Sequence, residues 1–373
     1  MKGYHTFVSK GTQLEGRLQR LLFHQGYFAV RNVFIPRHRQ APGAATPDID
    51  VLGYMFTEDF VPRKVIYDCK SGKSQAVNRI LWLQTMARRV NADRAYMVRP
   101  NTPQDIKFYG LAEGIYFVDF ETLARMEREY TEGLPVIKGS TEAEFLAVTE
   151  ELNRALKDSN VVRALQVIRT DFWFLPSCAA LKQVLAQYEC LGPLNTLPGL
   201  SSLALQWLKA MLVSLFTLGV LRMCSEVIGL APTEREQVLK QRLVSDRIPY
   251  REFTSLVRTT FEYAHSVYGK QAGLPLGDFY EIPPPQYTDS LLDLVTRALR
   301  HPKEAILMPR FSEYMLFECV LRGKVVDTAS VQQIFRRPYP ALLGHYRDYL
   351  FFLNNICSST RDFLSSLFPT EKA

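Results

Sequence analysis

The 373-residue sequence has no cysteine pair at CxxC spacing; its six cysteines stand apart at positions 69, 178, 190, 224, 319 and 357. That argues against structural zinc and against a disulfide framework, and the expectation is a reduced, cytoplasmic protein. His24 and His38 have no partner at metal-ligand spacing. Long apolar runs are scarce as well. The most apolar stretch, Ala210 to Leu221, is twelve residues closed in by Lys209 and Arg222, too short for a membrane span and suited to a buried helix. No N-terminal segment has the charged, apolar and small-residue order of a secretory signal, so no membrane partner is expected. No fixed-period repeat stands out to indicate a solenoid, and no aromatic-rich RNA-recognition motif is visible.

What the chain does contain is unevenly spread. Its length suits two domains or one large one, and its 47% hydrophobic and 22% charged residues are ordinary for a soluble globular protein. Residues 1–140 carry 20 Lys+Arg against 14 Asp+Glu, a net +6, whereas residues 141–373 carry 25 against 24, a net +1. The excess positive charge therefore lies in the first third of the chain, where it suits a polyanionic partner. The bland alternative is an ordinary solvated surface.

In that first third, the pattern predicts a helix over 12–25, with Leu14, Leu18, Leu21 and Leu22 on one face and Thr12 and Glu15 at capping-box spacing. A strand follows from Tyr27 to Phe34, then a basic loop over 37–47 with Arg37, His38 and Arg39. Two more strands follow, Asp48 to Tyr54 and Lys64 to Lys70. A helix over 75–90 places Val77, Ile80, Leu81, Gln84 and Ala87 at helical spacing. Short strands at 95–98 and 114–119 bracket a helix at 105–111, and a helix starts at Glu121. The order α-β-β-β-α-β-α-β-α is that of a layered α/β domain over residues 1–130. Residues 131–141 read as a linker around Gly133, Pro135 and Gly139, and residues 142–373 as an all-helical domain whose sequence carries no recognisable chemistry. Its helices are expected near 142–157, 160–170, 178–190, 200–228, 233–243, 250–268, 288–300, 312–321, 329–335 and 340–367.

Residues two apart on a strand share a face, so Asp48 and Asp50 point one way, and Asp68 and Lys70 share a face while Cys69 points opposite. Acids on otherwise apolar strands are costly to bury unless a cation neutralises them, and a metal site answers that cost. The triplet Asp68-Cys69-Lys70 is weak by itself, because roughly two or three Asp/Glu-x-Lys triplets arise by chance in a chain this long. Asp105-Ile106-Lys107 is such a decoy: it follows the loop signal Asn101-Thr102-Pro103 and has no β-run leading into it. A purely structural reading makes Asp68 and Lys70 a simple ion pair, but Asp50 then leaves an excess of negative charge. Glu15 reads equally as a capping residue, Gln84 as an amide bonded to backbone, and Asp48 as a turn residue after Pro47.

Taken together these segments resemble the PD-(D/E)xK superfamily, the restriction-endonuclease-like fold, and within it the Mrr-like branch, over residues 8–130. The likeness is carried by Glu15 on the first helix, Ile-Asp-Val-Leu-Gly at 49–53, Ile-Tyr-Asp-Cys-Lys-Ser at 66–71, Gln84 on the next helix, Asn91 to Val98, and Gly114 to Asp119. The resemblance implies an α/β restriction-endonuclease-like N-terminal domain, a mixed sheet flanked by helices, followed here by an all-α C-terminal domain. It implies Mg²⁺-dependent hydrolysis of nucleic-acid phosphodiesters, DNA before RNA, with Mn²⁺ able to substitute. Asp50 and Asp68 are then metal ligands with the backbone carbonyl of Cys69, and Asp48 is the alternate ligand. Glu15 holds a second ion or a metal-bound water, Lys70 orients or activates the attacking water, and Gln84 positions water or phosphate. Lys73, Arg37, Arg39 and Arg79 are the candidate nucleic-acid contacts. The expected role is an endonuclease of restriction or antiphage defence, paired as a homodimer or joined to a protein partner through the helical domain. The alternatives are a non-catalytic nucleic-acid-binding or complex-assembly subunit on the same fold, and a nuclease active only with a partner.

Overall fold

The computed structural model describes residues 10–36, 48–69, 76–137, 143–155, 157–192, 200–246, 248–272 and 282–357. Lys70, Lys73, Arg37 and Arg39 lie outside the described residues. The N-terminal part runs α1 (Lys10–His24), β1 (Phe28–Phe34), β2 (Asp48–Phe56), β3 (Pro62–Cys69), α2 (Ala76–Val90), β4 (Arg94–Val98), α3 (Gln104–Ala112), β5 (Ile115–Val118) and α4 (Phe120–Thr131). The expected element order is present. The start of the expected linker is helical instead, since α4 continues to Thr131.

The five strands form one mixed sheet in the order β1-β2-β3-β4-β5. β1, β2 and β3 pair antiparallel as a meander, and β3, β4 and β5 pair parallel, with α2 and α3 as the crossovers that parallel pairing requires. One face buries Val51, Val65, Tyr67, Cys69, Val98 and Val118 under Leu14, Leu18, Leu21 and Leu22 of α1 and Leu123 of α4. The other buries Leu52, Ile66, Ala95 and Met97 against Ile80, Leu83, Met86 and Val90 of α2. Because helices cover both faces, β3 and β4 read as near-continuous apolar runs.

Local chemistry sets the helix ends. Gly26, at φ 104°, reverses the chain after α1 while the N–H of Tyr27 donates to the Leu22 carbonyl at 2.9 Å. Asn91, at φ 52°, does the same after α2, with Ala92 N–H on the Ala87 carbonyl at 2.8 Å. The Asp119 carboxylate caps α4 by accepting from Thr122 N–H at 2.8 Å. The inward stripe of α2 differs from the expected one: it is Ile80, Leu83, Met86 and Val90, whereas Val77 and Leu81 are exposed.

The remaining chain is mostly helical: α5 (Ala143–Arg154), α6 (Ser159–Gln166), α7 (Phe172–Phe174), α8 (Ser177–Cys190), α9 (Ser202–Val227), α10 (Pro232–Val244), α11 (Tyr250–Ala272), α12 (Thr288–Arg300), α13 (Pro302–Ala305), α14 (Met308–Glu313), α15 (Thr328–Phe335) and α16 (Tyr339–Ile356). Wide π-type turns at Val167–Asp171 and Tyr314–Val320 join α6 to α7 and extend α14. α9 is apolar all round because it runs through the middle of this region. It is long and apolar enough to cross a membrane, but 89% of its most apolar window is buried inside the protein.

The sheet and the helices share one apolar core. Phe23 of α1 meets Phe335 of α15 edge-on at 6.1 Å, and the buried Arg310 guanidinium lies over both rings, at 4.7 and 5.1 Å. Arg169 sits over Phe34, at the end of β1, at 5.9 Å.

Candidate active site

The acids converge at the carboxyl end of the parallel strands, the place where open α/β sheets leave a crevice for ligands. The register that sets Val51 opposite Tyr67 carries on to set Asp50 beside Asp68. Strand alternation turns both toward the face covered by α2. Asp50 is 7% exposed and Asp68 only 1%. The backbone N–H of Cys69 donates to Asp50 Oδ2 at 2.5 Å, which ties the two strands together and fixes that carboxylate. The Cys69 thiol faces the α1 side, as alternation requires.

A buried carboxylate demands a counter-charge, and Arg79 supplies it. Its Nε donates to Asp68 Oδ1 at 2.9 Å and to Oδ2 at 3.0 Å, and Nη2 also reaches Oδ1. The guanidinium stacks on Trp82, 3.6 Å from the ring centroid. Burial works against the charge on Arg79. The hydrogen bond and charge of Asp68, with smaller contributions from Asp50 and Asp48, outweigh burial and raise its pKa. Arg79, expected on an exposed face as a nucleic-acid contact, is thus the partner of Asp68.

The other anticipated residues are dispersed. Asp48 opens β2 opposite Phe34. Glu15 lies on α1, on the other side of the sheet, where its charge supports Arg31, a guanidinium whose pKa burial lowers. Gln84 donates to Glu113 Oε2 at 2.6 Å, beyond the start of β5 and toward the opposite end of the parallel strands. Gln84 is therefore not brought to the acids. Among the described residues no group of three or more His, Cys, Asp and Glu side chains converges. The acidic donor set is the pair Asp50 and Asp68.

That pair fits a hard cation. Mg²⁺ takes one or two protein carboxylates and keeps several waters, so two buried acids on neighbouring strands suffice in charge and in donor type. The condition is that Arg79 releases Asp68, since it now engages both oxygens.

Two residues escaped the sequence reading. Arg79 had a signal: at 79, 83, 86 and 90 it continues the inward stripe of α2 by one turn. Arg99 had none. It follows β4 directly, is 9% exposed, and its Nε and Nη1 are buried with no hydrogen-bond partner. Comparison with known protein families, with functionally characterised proteins and with solved structures finds no match for this chain.

Proposed function

We propose that this protein is a Mg²⁺-dependent endonuclease that hydrolyses DNA phosphodiester bonds, with its N-terminal part a restriction-endonuclease-like domain of the PD-(D/E)xK kind. The observation that carries this reading is the burial of Asp50 and Asp68 side by side at the carboxyl end of the parallel strands. Apolar packing does not call for such a pair, and phosphoryl chemistry does. Asp50 and Asp68 hold the cation, which when bound neutralises phosphate charge and acidifies water. The Cys69 N–H keeps Asp50 pointed into the site. Lys70, the residue after β3, orients the attacking water and steadies the charge that develops on the phosphate. The water oxygen forms a bond to phosphorus as the bond to the leaving sugar oxygen breaks, and the proton passes to that oxygen. The net positive charge of residues 1–140 draws the polyanion in.

A second reading has its own support. Arg79 grips Asp68 bidentately, an arrangement that suits a nuclease held dormant until a partner or substrate draws Arg79 away. The test is cleavage of supercoiled plasmid, single-stranded DNA and RNA by the purified protein in Mg²⁺, Mn²⁺ or EDTA, beside Asp68→Ala and Lys70→Ala. Metal-dependent cutting lost in both variants supports the leading reading. A folded wild type that cuts none of the substrates in either metal ends it as a stand-alone enzyme.

A further inference from the structure

Arg99 stands in an unusual position for a buried cation. Other buried arginines have partners of their own: Arg79 has Asp68, Arg222 has the carbonyls of Phe172 and Leu175, and Arg310, whose Nε also lacks a hydrogen bond, lies over the rings of Phe23 and Phe335. Arg99 has its backbone N–H on the Val118 carbonyl at 3.2 Å, but its buried side-chain Nε and Nη1 have no partner. Register places it. Asp68 lies beside Met97 and Cys69 beside Val98, so Arg99 comes one step further along the same carboxyl edge. Alternation gives Arg99 the face of Met97, which is also the face of Asp68. Two guanidinium donors withdrawn from water, on the same face and edge of the sheet as an acid pair that suits a cation, are matched by a tetrahedral anion.

We propose that Arg99 is the phosphate-holding residue of this site, binding a phosphate group of the substrate beside Asp68. The identity of the anion as a nucleic-acid phosphate rests on the nuclease reading; the existence of an anion subsite does not. Arg99 then acts as a positioning residue: it fixes the phosphate against Asp50 and Asp68, and the ligand supplies the hydrogen bonds that Nε and Nη1 lack.

The test uses the full chain, free of divalent metal, with inorganic phosphate as the probe. Thermal unfolding is followed across a phosphate titration for the wild type, Arg99→Met and Arg99→Lys at constant ionic strength. Expected is a melting temperature that climbs with phosphate in the wild type, climbs less in Arg99→Lys, and is flat in Arg99→Met. Ligand-free Arg99→Met should melt at or above the wild type, because an unpartnered buried charge has been removed. Binding of a DNA duplex in Ca²⁺ should weaken about tenfold or more in Arg99→Met, with a shallower salt dependence. An unchanged phosphate response in Arg99→Met overturns the proposal, as does a ligand-free Arg99→Met that melts several degrees lower. If the wild type cuts no DNA yet loses its phosphate response on Arg99→Met, the nuclease reading fails and the anion subsite stands. If DNA is cut and Arg99→Met binds phosphate and DNA as the wild type does, the reverse holds.

Discussion

Asp68, almost wholly withdrawn from water, is tolerable because Arg79 faces both of its oxygens. Removing one partner of a buried pair strands the other, at a typical cost of about 3–5 kcal/mol. Arg79→Ala should therefore lose about that much stability in EDTA, measured by urea unfolding. Mg²⁺ should restore more of the loss in the variant than it adds to the wild type, since the Arg79 guanidinium no longer competes with the cation for the Asp68 oxygens. A variant as stable as the wild type in EDTA would remove Arg79 from its assigned role. His24 offers a pH test. Burial, then the charges of Arg310 and Arg20, push its pKa down from 6.5 to about 4. The unfolded chain then takes up the proton first, so stability falls as pH drops from about 6.5 to 4, by about 3 kcal/mol at most and on the order of 2 kcal/mol once solvent screening of this partly exposed ring is allowed for. His24→Phe should flatten the pH dependence of the unfolding midpoint across that window; an unaltered slope would count against the assignment.

At the level of elements, the alternation of strands was legible because each β residue has only two faces to choose from. Asp68 turned to the α2 side and Cys69 to the α1 side, as spacing implied. Helix faces were less legible. α2 offers apolar residues at 77, 80, 81 and 83, and several stripes fit; the sheet selects 80, 83, 86 and 90, which carries Arg79 inward and points Gln84 at Glu113. Close approach of elements was not legible either. A Cβ on Gly110 of α3 would meet Phe117 of β5, with Cζ at 2.9 Å. Helix propensity alone makes Gly110→Ala a gain of about 1 kcal/mol, but overpacking of that order costs about 1–3 kcal/mol. Gly110→Ala should be net destabilising in chemical denaturation, and Phe117→Leu in the same chain should recover much of the loss. A Gly110→Ala protein more stable than the wild type would show that Phe117 gives way freely.

Over the whole molecule, the sequence division at 131–141 suggested separable halves, yet the core runs through both. The interface of α1 with α14 and α15 buries Phe23, Arg310 and Phe335, and a chain ending near residue 137 would leave Phe23 without Phe335 and Arg310. Unfolding of the full chain should then be one cooperative transition, with far-ultraviolet and near-ultraviolet circular dichroism coinciding. A fragment of residues 1–137 should fold poorly or aggregate. Two separated transitions, or a fragment with a melting temperature equal to that of the whole, would restore the picture of independent domains.

Sequence by itself determined the element order, the mixed α/β character of the first third, the helical character of the rest and the placing of acids on adjacent strands. These depend on period, on turn chemistry and on which residues strands can afford to bury, all of which are local. Tertiary structure decided that Asp50 and not Asp48 lies beside Asp68, what neutralises Asp68, where Glu15 and Gln84 point, that Nε and Nη1 of Arg99 are buried without a hydrogen bond, and that the two regions share a core. Each of those depends on how helices of fixed pattern rotate and dock, and a helix with several apolar stripes is committed to one of them only by the surface it meets.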